Sequence, residues 1–226
     1  MLIYAEIHPF SRRDDLESLL EELGAFHGFD VPDAPMGRPA PIPISIACMA
    51  RGMYPSKPII VNQRLIDVNE LHVRSLIKGA KMLGLDMAFT QGDQPRIGRA
   101  VGYLQTEDAV RLAKDEGVRA GMMLSMFYPR QDVEKRMRSA ADFFLVLNLA
   151  DPRQLTGLDP APLIPYLLVE TERNKEWMRK LGQPSIREEE LPGMVERLEE
   201  VGVRAILLSI PRDAKAFSRL AKALKL

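Results

Sequence analysis

Eight times along its 226 residues the chain passes from a short apolar run to a segment with helical spacing. Residues 2–7 are brief and apolar enough for a strand, and Pro9 stops it. Leu16, Leu19, Leu20 and Leu23 then recur at i, i+3, i+4 and i+7, one face of a helix over 12–24 that Gly24 closes. Further strands are expected at 26–31, 59–62, 85–90, 120–126, 143–149, 163–169 and 203–210. Helices are expected at 44–53, 69–83, 106–116, 132–141, 171–181, 188–201 and 213–226, with Thr106 as an N-cap. The unit after 149 is weak, because Pro152, Gly157, Pro160 and Pro162 crowd it. Eight such units favour a single (β/α)8 TIM barrel spanning residues 1–226, at the lean end of the length range for that fold. A doubly wound open sheet would satisfy the same strand count, since closure leaves no mark on periodicity.

Composition removes several alternatives. Thirty-one basic side chains balance thirty-one acidic ones, so charge gives no reason to expect nucleic acid or an acidic membrane as partner. A single cysteine, Cys48, rules out an internal disulfide and a thiolate zinc site, and fits a reducing cytoplasm. No apolar run is long enough to cross a bilayer, and the N-terminus lacks the basic region of a signal peptide. The histidines, His8, His27 and His72, are scattered without a second ligand at metal spacing, so no metal site is expected.

The densest motif lies between the third helix and the loop after the fourth strand. It reads Asp67-Val68-Asn69, then a helix with Lys78-Gly79-Ala80 and Leu83-Gly84, an apolar strand, and Gly92-Asp93-Gln94-Pro95. Gly92 permits a turn or a close approach to a ligand, and Pro95 blocks continuation of strand or helix. Asp93 therefore sits just past a strand's carboxyl end, where α/β barrels bind ligands.

This order resembles the methylenetetrahydrofolate reductase family, in a short archaeal-type form. Ala5-Glu6-Ile7-His8-Pro9 is similar to the family's first strand end, and Asp30-Val31-Pro32-Asp33 to its second. Lys135-Arg136 before Ala140-Ala141-Asp142 looks like its fifth helix and sixth strand, and Ser209-Ile210-Pro211-Arg212 like its last turn. The resemblance implies a (β/α)8 barrel that holds FAD at the strand ends. It also implies a reaction that passes a hydride from NAD(P)H, or from a redox protein, through the flavin to a methylene-folate or archaeal pterin. A homo-oligomer is compatible with it. In this reading Glu6 protonates the pterin-side nitrogen, aided by desolvation that raises a strand-end carboxyl. Asp93 lies near the flavin and pterin and tunes both, and Gly92 brings the backbone close to the cofactor. Lys135 and Arg136 hold the diphosphate, and Asn62, Tyr128 and Asn148 supply hydrogen bonds to the rings.

The chain also departs from the pattern. Asn62 stands where most members carry histidine, Ile66 replaces an arginine, and a folate-contacting glutamine falls on Leu147 or Asn148. The loop after Tyr128-Pro129 is short. No Gly-x-Gly-x-x-Gly or phosphate-binding loop is present, so NAD(P)H would bind transiently against the flavin. Two other readings stay open: a pterin-binding methyltransferase-type barrel without flavin, and a non-catalytic subunit of a one-carbon complex. Rim ion pairing for Glu6, a self-bonded turn for Asp93 and a solvated basic face for Lys135-Arg136 are the corresponding readings without function. Trp177 and the methionines at 122, 123 and 126 read first as packing.

Overall fold

A computed structural model describes residues 1–8, 10 and 12–226. The strand stop expected at Pro9 lies outside the described residues. Nine strands occur among those described: β1 Leu2–Glu6, β2 Gly28–Val31, β3 Ile59–Arg64, β4 Asp86–Thr90, β5 Ala120–Ser125, β6 Phe143–Leu147, β7 Leu163–Glu170, β8 Ile186–Arg187 and β9 Ala205–Ser209. All their pairings are parallel. The ring runs from β1 through β7 in order, then to β9 and back to β1, and Leu145 opposite Ile164 joins β6 to β7. The sheet is therefore a closed eight-stranded barrel and not an open sheet. The two-residue β8 pairs only with the end of β7 and stands outside the ring; sequence periodicity did not announce it.

Helices follow the strands: α1 Arg13–Glu22, α2 Pro43–Met53, α3 Glu70–Leu83, α4 Thr106–Asp115, α5 Arg130–Met137, α6 Lys175–Leu181, α7 Leu191–Glu200 and α8 Ala216–Ala223. The weak unit after β6 contains only a 3-10 turn, Pro152–Leu155, while the unit after β7 carries both α6 and α7. Helix α3 shows why these segments are helical. Val73, Leu76, Ile77 and Ala80 bury one face, the Asn69 side chain accepts from the His72 amide at 3.0 Å, and Gly84 ends the helix in a left-handed turn. That cap alone is worth about 1 kcal/mol. The N-cap expected at Thr106 moves by one residue: Gln105 occupies the cap, and Thr106 is helical and buried. Its hydroxyl is used elsewhere, as described below.

Alternation along the strands builds two separate cores. Ile3, Ala5, Phe29, Val31 and Val61 face outward and pack with the helices. Tyr4, Ile60, Ala88, Phe143, Leu145, Ile164 and Leu207 face inward and fill the barrel. Gly121 is required by this filling, because a Cβ there would lie 2.5 Å from both the ring and the carbonyl oxygen of Phe143. At the amino-terminal end the barrel is floored by Arg119, which donates to Asp86 at 2.6 Å and lies 4.5 Å from the Phe143 ring centre. Burial raises the Asp86 carboxyl, and Arg119 opposes that shift. No helix among the described residues is long and apolar enough to cross a membrane.

Candidate active site

The interior positions change from apolar to polar toward the carboxyl ends of the strands. There a cavity of about 300 Å³ opens, lined among others by Glu6, Asn62, Arg64, Asp93, Tyr166 and Ser209. The same period of two that places Tyr4 in the filling places Glu6 above it, and Asn62 stands likewise above Ile60.

Glu6 is almost fully buried, yet both of its oxygens are occupied. Tyr166 donates its hydroxyl to Oε1 at 2.8 Å and Ser209 donates to Oε2. His8 Nδ1 lies 3.8 Å from Oε2, and its Nε2 is buried without a partner among the described residues. Burial, followed by the Glu6 charge, pushes the Tyr166 phenol well above its usual range, so Tyr166 is a donor.

Asp30 is the register neighbour of Glu6 on β2 and is completely buried. Asn62 Nδ2 donates to its Oδ2 at 2.8 Å, while Asp30 Oδ1 and Asn62 Oδ1 have no partner among the described residues. Desolvation and then the neighbouring Glu6 raise the Asp30 carboxyl well above the ordinary aspartate value; the Asn62 bond only partly offsets this. The consequence for stability has a definite sign. An unfolded chain releases this proton first, so stability is lost as pH rises from the ordinary aspartate value through the raised one. Asp30→Asn removes the penalty and is expected to melt higher than the parent at neutral and alkaline pH, with the two converging in acid. Thermal melts across pH check this; parallel curves for the two proteins would contradict it.

The rim is organised by Arg64, whose side chain is 4% exposed. It donates to Asp67 Oδ2 at 2.6 Å and to the main-chain oxygens of Asp93 and Ala34. Its own amide donates to Asp33 Oδ2 at 2.9 Å, which also accepts from Gln63. Burial raises the Asp33 carboxyl against the pull of these bonds. Gly92 has φ +83, and a Cβ there would meet Arg64 at 3.0 Å, so both backbone and space demand glycine. Asp93 follows on the exposed rim and is among the residues lining the cavity. Trp177, read from sequence as packing, and Met123 also line it.

Tyr128, Lys135 and Arg136 line a second hollow of about 600 Å³, together with Glu107, Asp132, Arg138 and Ser139. Arg136 is largely committed to the protein. Its Nε donates to the Met123 carbonyl at 2.9 Å, its Nη2 donates to the Thr106 hydroxyl at 3.0 Å, and Glu107 lies 3.3 Å away. Lys135 is exposed, and Ser139 Oγ is buried without a partner among the described residues. Met123 joins the two hollows, because its side chain lines the first and its carbonyl anchors Arg136. Asn148 lies outside the lining of the first cavity, where Leu147 stands instead. It has φ +60, donates to Ser125 Oγ at 2.9 Å and leaves Oδ1 buried and unpartnered among the described residues.

Of the residues singled out from sequence, Glu6, Asn62 and Asp93 thus meet in one cavity, with Gly92 shaping its edge. Tyr128, Lys135 and Arg136 meet in another, and Asn148 joins neither. Asp30, Arg64, Tyr166, Ser209 and His8 were not singled out as site residues.

No protein-family model matches the chain, and no curated protein matches it either. Among solved structures the chain is similar to 2,3-dimethylmalate lyase, a member of the PEP mutase/isocitrate lyase superfamily, at TM-score 0.61 and 14% identity over 100% of this chain and 81% of that one. Orotidine 5'-phosphate decarboxylase from Pyrococcus horikoshii OT3 gives TM-score 0.60 and 11% identity, covering 99% and 97%. KGPDC from Streptococcus mutans gives TM-score 0.55 and 12% identity, covering 99% and 94%. At these identities the likeness is one of fold: the chain is a (β/α)8 TIM barrel with its polar cavity at the carboxyl ends of the strands.

Proposed function

We propose that the chain is a flavin-dependent oxidoreductase of one-carbon metabolism that reduces a methylene-folate or archaeal methylene-pterin to the methyl form. One observation carries the reading. Glu6 and Asp93, picked out by motif, and Asn62, which stands where most members of the resembled family carry histidine, come from three separate strand ends and converge on one cavity of about 300 Å³. A carboxyl group held by two hydroxyls is placed for proton transfer, and Asp93 at the rim would favour a cationic iminium nearby.

The residues fit a dinucleotide flavin at both ends. The second hollow offers the cations Lys135 and Arg138, suited to a diphosphate. In the first, Asn62 is among the polar residues lining the cavity where the rings would sit, with its Oδ1 lacking a partner among the described residues. When bound, FAD would supply two-electron hydride chemistry. The chain's own residues would orient the rings, exclude water and deliver the proton.

The test is flavin uptake. The purified protein is expected to bind FAD, read by absorbance and by the change in flavin fluorescence. Reversing Lys135 and Arg136 to Glu should weaken binding by roughly tenfold or more, since each loses a charge-assisted bond. Because Arg136 also ties α5 to β5, Lys135→Glu alone serves as the cleaner variant. Absence of flavin uptake would overturn the reading. The commitment of Arg136 to Met123 and Thr106 favours one alternative, a pterin-binding barrel that works without flavin. Pterin binding without flavin uptake would establish it.

A further inference from the structure

We propose that Asp30 is the proton-holding partner of Glu6: the two form a carboxyl pair that stores one proton in the resting site, on Asp30, and Glu6 relays it. The proton's place stands on geometry alone. Its use in turnover rests on the reading of Glu6 as proton donor given above.

Glu6 and Asp30 are register neighbours on adjacent parallel strands, both pointing into the barrel. Such strands lie about 4.8 Å apart, so two carboxyl groups in this position cannot both be charged without a large penalty. The surroundings decide which one keeps the proton. Glu6 accepts O–H bonds on both oxygens, from Tyr166 on β7 and from Ser209 on β9, with His8 near Oε2, so neither oxygen is bare. Asp30 receives one N–H bond, from Asn62 on β3, and its other oxygen has no donor among the described residues. No cation contacts Asp30 among the described residues; the Arg64 guanidinium pairs with Asp67 at the rim, and its main-chain amide donates to Asp33. A completely buried carboxyl with a bare oxygen is where an O–H belongs, and the direction of its shift agrees.

During turnover the O–H bond of Asp30 breaks as an O–H bond forms on Glu6, and the Glu6 proton passes to the substrate nitrogen. No electrons are transferred in this step. The two negative charges left on the pair are costly at this spacing, and that cost draws a proton back from water at the mouth to restore the resting state. Asp30 acts through Glu6 and is therefore a positioning residue.

Infrared spectroscopy tests the store without any substrate or flavin. The parent protein at neutral pH is expected to show the carbonyl stretch of a protonated carboxylic acid. That band should shift when only aspartate carboxyls carry carbon-13, and should vanish in Asp30→Asn. Asp33 and Asp86 are also raised by burial, so Asp33→Asn and Asp86→Asn serve as companions: a band that survives both belongs to Asp30 even if Asp30→Asn fails to fold, and a band that either one abolishes overturns the proposal. A missing band, or one that the label does not move, overturns the proposal. In turnover, Asp30→Asn should lower kcat roughly a hundredfold with KM held, and should erase the alkaline limb of the pH–rate profile. An unchanged profile would reduce Asp30 to a structural residue. A chain that shows the band but never reduces a methylene-pterin would keep the store and refute only the proposed reaction.

Discussion

Glu6→Gln is expected to slow reduction of the methylene substrate by roughly two to four orders of magnitude, the usual scale for loss of a general acid or base. The amide matches the carboxylate in size and can still accept from Tyr166 or Ser209, so the cavity should keep its shape. It has no acidic proton to pass on. Oxidation of the electron donor draws no proton from Glu6 and should proceed at the parent rate. Rapid-mixing absorbance, recorded separately for donor oxidation and for substrate reduction, distinguishes the two. Equal loss in both halves would point to a collapsed site. No loss in the second half would leave Glu6 as a rim carboxylate that merely ties β1 to β7 and β9.

Arg64→Met carries the second large effect, in stability as well as activity. The guanidinium is nearly inaccessible and its bonds reach three segments: the Asp67 carboxylate, the Asp93 carbonyl and the Ala34 carbonyl. Methionine fills much of the volume but satisfies none of these acceptors. Asp67 is about one-third exposed and can recover water, which keeps the cost below that of a fully buried pair. We expect a loss of about 2–3 kcal/mol in chemical denaturation. We also expect a drop in activity, because the Gly92-Asp93 turn loses the contact that pins it over the cavity. A variant with parent stability would mean that the Arg64 bonds are replaced by water without penalty.

The barrel was legible because its signals are local. Leucines at 16, 19, 20 and 23 and the apolar runs at 143–149 and 163–169 state helix and strand without reference to the rest of the chain. Proline crowding after β6 correctly marked the unit that holds a 3-10 turn in place of an α-helix. Closure was not legible, because the pairing of Leu145 with Ile164 joins runs that would look the same in an open sheet. For the site, strand-end motifs led to Glu6, Asn62 and Asp93. Its other half lay inside apolar runs and was not singled out, although Asp30 and Ser209 stand in the strand-end motifs quoted above. Asp30 sits between Phe29 and Val31, Tyr166 between Pro165 and Leu167, and Ser209 between Leu208 and Ile210. The available signal was a polar residue in phase with the inward positions near a strand's carboxyl end. That phase becomes visible only once the strand register is known. Asn148 misled because the side chain next to it, Leu147, is the one that points inward.

The floor of the barrel has a kinetic consequence. Below Glu6 and Asp30 the interior is filled by Tyr4 and by apolar side chains, with Arg119 against Phe143 and Asp86 at the bottom. The direct route from the carboxyl pair to bulk water is the mouth, which His8 helps to line, and on the proposed reading a flat ligand seated there obstructs it. On the proposed reading, each complex begins with the proton it was loaded with and cannot be resupplied until the product departs. The site would then behave as a cell charged once per cycle, with buffer composition felt between turnovers and not during them.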